Sequence, residues 1–130
     1  MKKLGDICLA LVDDDEQLCR SFARLLRAAG MRQITYGSAE ALLADSGHPR
    51  FDCVVLDIQL PGMSGLELQK RLAAMGDPAP VIFITAHDDP KAREQAQNAG
   101  CAGYFRKTDS GADVLAAIRR VVPSPRVREE

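Results

Sequence analysis

The sequence predicts an α/β domain, with short parallel strands in one sheet and helices on both of its faces. Three observations carry this. Apolar runs of about four to six residues, too short for helices, alternate with stretches whose apolar residues recur at helical spacing. Glycine, proline, serine or aspartate stands at most of the junctions. The alternation is strict, and strands that alternate with helices form a parallel sheet buried on both sides, joined by right-handed crossovers. A length of 130 residues suits one compact domain.

The elements follow in order. ICLALV (7–12) reads as the first strand. From Glu16 to Ala29, Leu18, Phe22, Leu25 and Leu26 share one helical face, and Gly30 is the expected stop. QITY (33–36) is a brief strand. Ser38 can cap a helix over 39–45, which Gly47 and Pro49 end. CVVL (53–56) is a second strongly buried strand. Ser64 can cap a helix over 65–75 with Leu66, Leu68 and Leu72 on its apolar side, and Gly76 stops it. VIFIT (81–85) is the third strong strand. The helix over 91–99 offers only alanines as its apolar side, which implies loose packing. CAGYF (101–105) reads as the last strand. Ser110 and Asp113 fit a capping box for a final helix through Val122, with Val114, Leu115 and Ile118 inward. Pro123 and Pro125 forbid continuation, and 123–130 reads as a polar tail or linker stub.

The bulk composition narrows the function. A formal net charge of −1 argues against a broad nucleic-acid-binding surface. No apolar run approaches the roughly 20 residues that span a bilayer. The start, MKKLGDICLALVDDD, reads as a first strand rather than a signal peptide, because its apolar run is short and ends in acid. Cys8, Cys19, Cys53 and Cys101 form no CxxC pair, and His48 and His87 stand apart from them, so no zinc pattern is present. They read as reduced cysteines, with Cys8, Cys53 and Cys101 as small hydrophobes.

The stretch CVVLDIQLPGM raises the functional question, because a strand buried on both faces ends in Asp57. Each strong strand ends similarly. Asp13, Asp14 and Asp15 follow the first, Thr85 and Ala86 close the one at 81–85, and Lys107 follows the last. In a parallel sheet with β–α alternation, all these ends lie on one edge, where such folds bind ligands. Alone, each residue has an ordinary reading: helix cap, strand end, surface lysine. Together they are carboxylates that repel one another and require a cation, either Lys107 or a hard divalent metal with oxygen ligands. Mg²⁺ takes about six oxygens and keeps several waters, which leaves room for phosphoryl oxygens. Carboxylate, Mg²⁺, lysine and hydroxyl together make a phosphoryl-transfer site.

The motifs LVDDD, VVLDIQLPGMSGLEL, VIFITAH and GYFRKT, in that order, resemble the receiver domain of two-component response regulators, and the resemblance covers residues 6–122. It implies a flavodoxin-like (βα)5 fold with strand order 2-1-3-4-5. It implies that Asp57 accepts a phosphoryl group from a sensor histidine kinase, and that Asp13, Asp14, Asp57 and the backbone carbonyl of Gln59 hold Mg²⁺, with Mn²⁺ as a substitute. Thr85, the amide of Ala86 and Lys107 would hold phosphate oxygens, and Gln59 and His87 would tune dephosphorylation. Thr85 and Tyr104 would form a switch read by an effector at the 91–122 face, where two copies can also pair. The resemblance implies a cytoplasmic signalling domain, not a turnover enzyme, with no nucleic acid or membrane bound directly.

One departure stands out. The family usually places a proline, after a cis peptide, behind the lysine, whereas here Thr108 follows Lys107. A cis bond to a non-proline costs about 2.5–4 kcal/mol, so either strain is present or the loop is trans. Three other readings compete with this one. A haloacid-dehalogenase-type phosphohydrolase needs a second aspartate two residues past its nucleophile, where Gln59 stands. A nucleotide-binding domain would need GxxxxGK[ST] or GxGxxG, and neither occurs. A pseudo-receiver, an interaction module that phosphorylation does not regulate, is the structural alternative.

Overall fold

The computed structural model describes residues 7–122. The expectations for 1–6 and for the tail at 123–130, with its two prolines, lie outside the described residues. Strands β1 (Cys8–Val12), β2 (Arg32–Tyr36), β3 (Cys53–Asp57), β4 (Val81–Thr85) and β5 (Gly103–Arg106) alternate with helices α1 (Glu16–Ala28), α2 (Ala39–Ala44), α3 (Gly65–Ala74), α4 (Pro90–Asn98) and α5 (Gly111–Val121). The strands form one parallel sheet in the order β2-β1-β3-β4-β5. This is the flavodoxin-like order expected. The order reverses at β1, between β2 and β3, so the crevice at the carboxyl edge opens beside β1 and β3.

The central strands are apolar throughout because both faces are covered. Ala10, Val12, Val54, Leu56, Val81 and Phe83 pack on one side with Leu42 of α2, Leu68 and Leu72 of α3, and Ala96 of α4. Leu9, Leu11, Val55, Ile82 and Ile84 pack on the other with Phe22 and Leu26 of α1 and with Val114 and Ile118 of α5. Successive strand residues divide between the two cores because their side chains point to opposite faces. Helix α4 contributes only Ala96 as a buried residue, the weak apolar side the sequence predicts. No helix among the described residues is long and apolar enough to cross a membrane.

Helix ends follow the local chemistry. Ser38 and Ser64 accept from the amides of Ala41 and Glu67, each at 3.1 Å. Helices α1, α3 and α4 end in the same way. The amides of Met31, Asp77 and Cys101 bond back to Leu26, Leu72 and Ala96, with a glycine at positive φ just before each. That arrangement corrects the expected start of β5. The Cys101 amide belongs to the end of α4, and pairing with β4 begins at Ala102, whose amide reaches Val81 O at 2.7 Å. Ser110 caps α5 through the amide of Ala112 rather than through the expected box with Asp113. Helix α2 ends at Ala44, one residue sooner than expected, with Asp45 as its cap.

Candidate functional site

The ends of β1, β3, β4 and β5 deliver the site's polar groups to the carboxyl edge. Asp13 follows β1, and its amide bonds to Tyr36 O at 3.1 Å, so the backbone there is held by β2. Asp57 is the last residue of β3 and only 4% exposed. The Lys107 amide bonds to Thr85 O at 2.8 Å, which extends the β4–β5 pairing by one residue and aims the lysine across the edge. Its Nζ lies 3.0 and 3.1 Å from the two carboxylate oxygens of Asp13 and 3.2 Å from Oδ2 of Asp57. No peptide bond among the described residues is cis. The Lys107–Thr108 bond is therefore trans, and the lysine reaches both carboxylates without the strained alternative.

Backbone amides also bind these carboxylates. Asp57 Oδ1 accepts from the amide of Gln59 at 3.0 Å, and Asp13 Oδ1 from that of Asp15 at 2.9 Å. Asp14, which is exposed, completes a trio: one oxygen each from Asp13, Asp14 and Asp57 lies within 4.8 Å of the others. Asp13 and Asp14 border an open cleft of about 540 Å³ beside α1, lined also by Glu16, Cys19 and Arg20.

Charge is unbalanced here. Burial raises the Asp13 carboxyl above its ordinary value and Asp57 adds repulsion, so the Asp15 amide and Lys107 offset them only in part. Burial alone would depress Lys107, but the two carboxylates outweigh it and hold the ammonium above its ordinary value. Asp13 and Lys107 thus shift the same way for different reasons: two anions raise the lysine, whereas burial raises Asp13, and Lys107, shared with Asp57, offsets it only in part. A crowded all-oxygen donor set with too little positive charge suits a hard divalent cation. The residues present therefore fit Mg²⁺.

Asp13, Asp14, Asp57 and Lys107 come together as the sequence predicts. Gln59 contributes its amide to Asp57. Thr85 is buried at the end of β4, but its hydroxyl is occupied within the following loop, donating to His87 O at 2.9 Å and accepting from His87 N at 3.2 Å. Ala86 is exposed directly after it. Tyr104 lies half-buried on β5, and its hydroxyl is buried without a hydrogen-bond partner. Sequence reasoning misses two contacts. The Arg93 guanidinium stands 4.9 Å above the Tyr104 ring. Glu40 on α2 accepts from the amide of Met63 at 2.9 Å, which ties down the loop after Asp57. Neither pairing has a local sequence signature.

Comparison with known proteins agrees with this geometry. The family model described as the response regulator receiver domain matches residues 9–119. Response regulator protein TmoT of Ectopseudomonas mendocina is 38% identical over 109 residues, which are 84% of this chain and 50% of TmoT. Transcriptional regulatory protein FixJ of Azorhizobium caulinodans is 38% identical over 110 residues, 84% of this chain and 52% of FixJ. The chain thus spans about half the length of these curated relatives. The crystal structure of a CheY-like response regulator receiver domain protein from Methanospirillum hungatei JF-1 superposes with a TM-score of 0.81 at 25% identity, covering 88% of this chain and 91% of that one. With its motifs at the strand ends and the family model spanning most of its length, the chain belongs to the response regulator receiver domain family.

Proposed function

We propose that this receiver domain accepts a phosphoryl group on Asp57 from a sensor histidine kinase, in a Mg²⁺-dependent reaction, and signals the change to an effector. The observation that carries the reading is the single lysine shared by two buried strand-end carboxylates beside a third, exposed one. Asp57 would act as the nucleophile through its carboxylate. One of its oxygens attacks phosphorus. The P–N bond of the phosphohistidine breaks, its electron pair returns to the ring nitrogen, and neutral imidazole leaves when the other ring nitrogen carries the proton. Lys107 offsets charge on the transferred oxygens, and Thr85 and the Ala86 amide donate to them. Bound Mg²⁺, held by Asp13, Asp14, Asp57 and the Gln59 carbonyl, would supply the remaining positive charge; Mn²⁺ can substitute. Gln59 and His87 would set how readily water removes the group.

The signalling unit is taken as 6–122, followed by a tail or linker at 123–130. TmoT is named a response regulator and FixJ a transcriptional regulatory protein, and about half of each lies outside the match. An effector coupled to this domain is consistent with that, as is a cytoplasmic site of action. Thr85 and Tyr104 would switch together and alter the 91–122 face, which the effector or a second copy would read. A net charge of −1 favours a domain that does not bind nucleic acid itself.

The test is labelling with radioactive acetyl phosphate. The wild-type chain should gain an alkali-labile acyl phosphate with Mg²⁺, lose it with chelator, and fail to gain it as Asp57→Asn. Equal labelling of wild type and Asp57→Asn would remove the reading, and no labelling of either would favour the pseudo-receiver.

A further inference from the structure

The loop between β4 and α4 is tied at two points. At its start, the single hydroxyl proton of Thr85 goes to His87 O. A threonine has one such proton, so it cannot serve an oxygen at Asp57 until this bond breaks. Further along, Asp88 Oδ2 receives Arg93 Nη2 at 3.2 Å. The same guanidinium covers the Tyr104 ring at 4.9 Å. Arg93 therefore joins the loop beside the acceptor to the aromatic residue on β5. Among the described residues, Tyr104 OH and Gln69 Oε1 are the buried side-chain polar atoms without partners. Arg93 above its ring and the apolar packing around it hold Tyr104 in this position.

We propose that Arg93 is a positioning residue that clamps the β4–α4 loop to Tyr104 and thereby opposes occupation of Asp57. The inference rests on the phosphoacceptor reading above. A phosphoryl group on Asp57 gains the Thr85 proton only in the state where the loop has released it. Anything that stabilises the unreleased state lowers affinity for that group by the same factor. Asp88 is next to His87 in the chain, so release at Thr85 displaces the carboxylate that Arg93 holds. The consequence runs against the usual one, in which removing a contact near a site weakens it. Here removal should strengthen binding. Because the ion pair is partly exposed and the ring contact modest, the gain is limited, roughly two- to fivefold.

The experiment titrates the chain with beryllofluoride, a tetrahedral phosphoryl mimic, in the presence of Mg²⁺, and follows the Tyr104 ring by NMR. Arg93→Ala and Asp88→Asn should each lower the half-saturating concentration by roughly two- to fivefold, and the double variant should fall no further than the larger single change. Without the mimic, both should move the Tyr104 resonances toward their mimic-bound positions, while Arg93→Lys should lie between wild type and Arg93→Ala. A purely structural role would lower the unfolding midpoint without either shift. Unchanged or weaker binding in a folded Asp88→Asn or Arg93→Ala variant overturns the clamp alone. A wild-type chain that ignores the mimic, or an Asp57→Asn variant that still responds, overturns the phosphoacceptor reading and the clamp with it.

Discussion

Gly65 lies directly against the backbone of Asp57. A Cβ at Gly65 would overlap the Asp57 carbonyl oxygen and approach the Asp57 carbonyl carbon and Ile58 Cα to 3.0 Å. The Gly65 amide bonds to Ile58 O at 2.9 Å, so the loop from 58 to 64 closes on itself at the foot of α3. Gly65→Ala would have to push backbone away from backbone at the acceptor itself. It should destabilise the fold by roughly 1–3 kcal/mol, as overpacking does, and slow labelling of Asp57. Denaturant unfolding measures the first effect, and a midpoint equal to wild type would show that the close approach is not required.

Lys107→Met removes the lysine that, among the described residues, pairs with both Asp13 and Asp57, which are 6% and 4% exposed. Two buried carboxylates then face each other with less compensation. Because the Lys107 side chain is itself 18% exposed, the loss is smaller than for a fully buried pair, roughly 1–3 kcal/mol at neutral pH. Adding Asp13→Asn should recover part of it, since the loss comes from repulsion as well as from a missing contact. If the double variant is no more stable than Lys107→Met, the repulsive component is absent.

Much of this site is legible in the sequence for a geometric reason. Strict β–α alternation makes every strand parallel, so Asp13, Asp57, Thr85 and Lys107 must share an edge whatever the strand order. The order itself has no signature in periodicity and enters only through the family resemblance. Cys101 shows why the start of β5 is misread: an apolar residue after glycine looks like a strand, but its amide closes α4. The reach of Glu40 to Met63 and of Arg93 over Tyr104 depends on which surfaces the fold brings together, which no local pattern records.

Asp14 separates metal binding from folding. It is the exposed member of the carboxylate trio, so it adds negative charge without adding to the core. Mg²⁺ should stabilise the wild-type chain by linkage, by about 1.4 kcal/mol at ten times the dissociation constant. Asp14→Asn should lose most of this response while its metal-free stability stays equal to wild type or rises slightly, because one repulsive charge is gone. Thermal unfolding with and without Mg²⁺ reads both. A variant that keeps the full response would exclude Asp14 from the site.

Tyr36 ties the end of β2 to the end of α2, because its hydroxyl donates to Asp45 Oδ2 at 2.7 Å. Burial, followed by the hydrogen bond and the charge of Asp45, raises the phenol well above its ordinary value of 10.0. The unfolded chain therefore ionises first as pH rises, and the folded state must keep a proton that the unfolded state has lost. Stability from this group is complete below about pH 10 and declines as pH climbs from there toward the folded value. Tyr36→Phe should cost about 1 kcal/mol at pH 7, the net worth of one such bond. It should also flatten the loss of stability above pH 10. Denaturant unfolding from pH 7 to 11 tests both parts. An alkaline slope as steep in Tyr36→Phe as in wild type would place the responsible proton elsewhere.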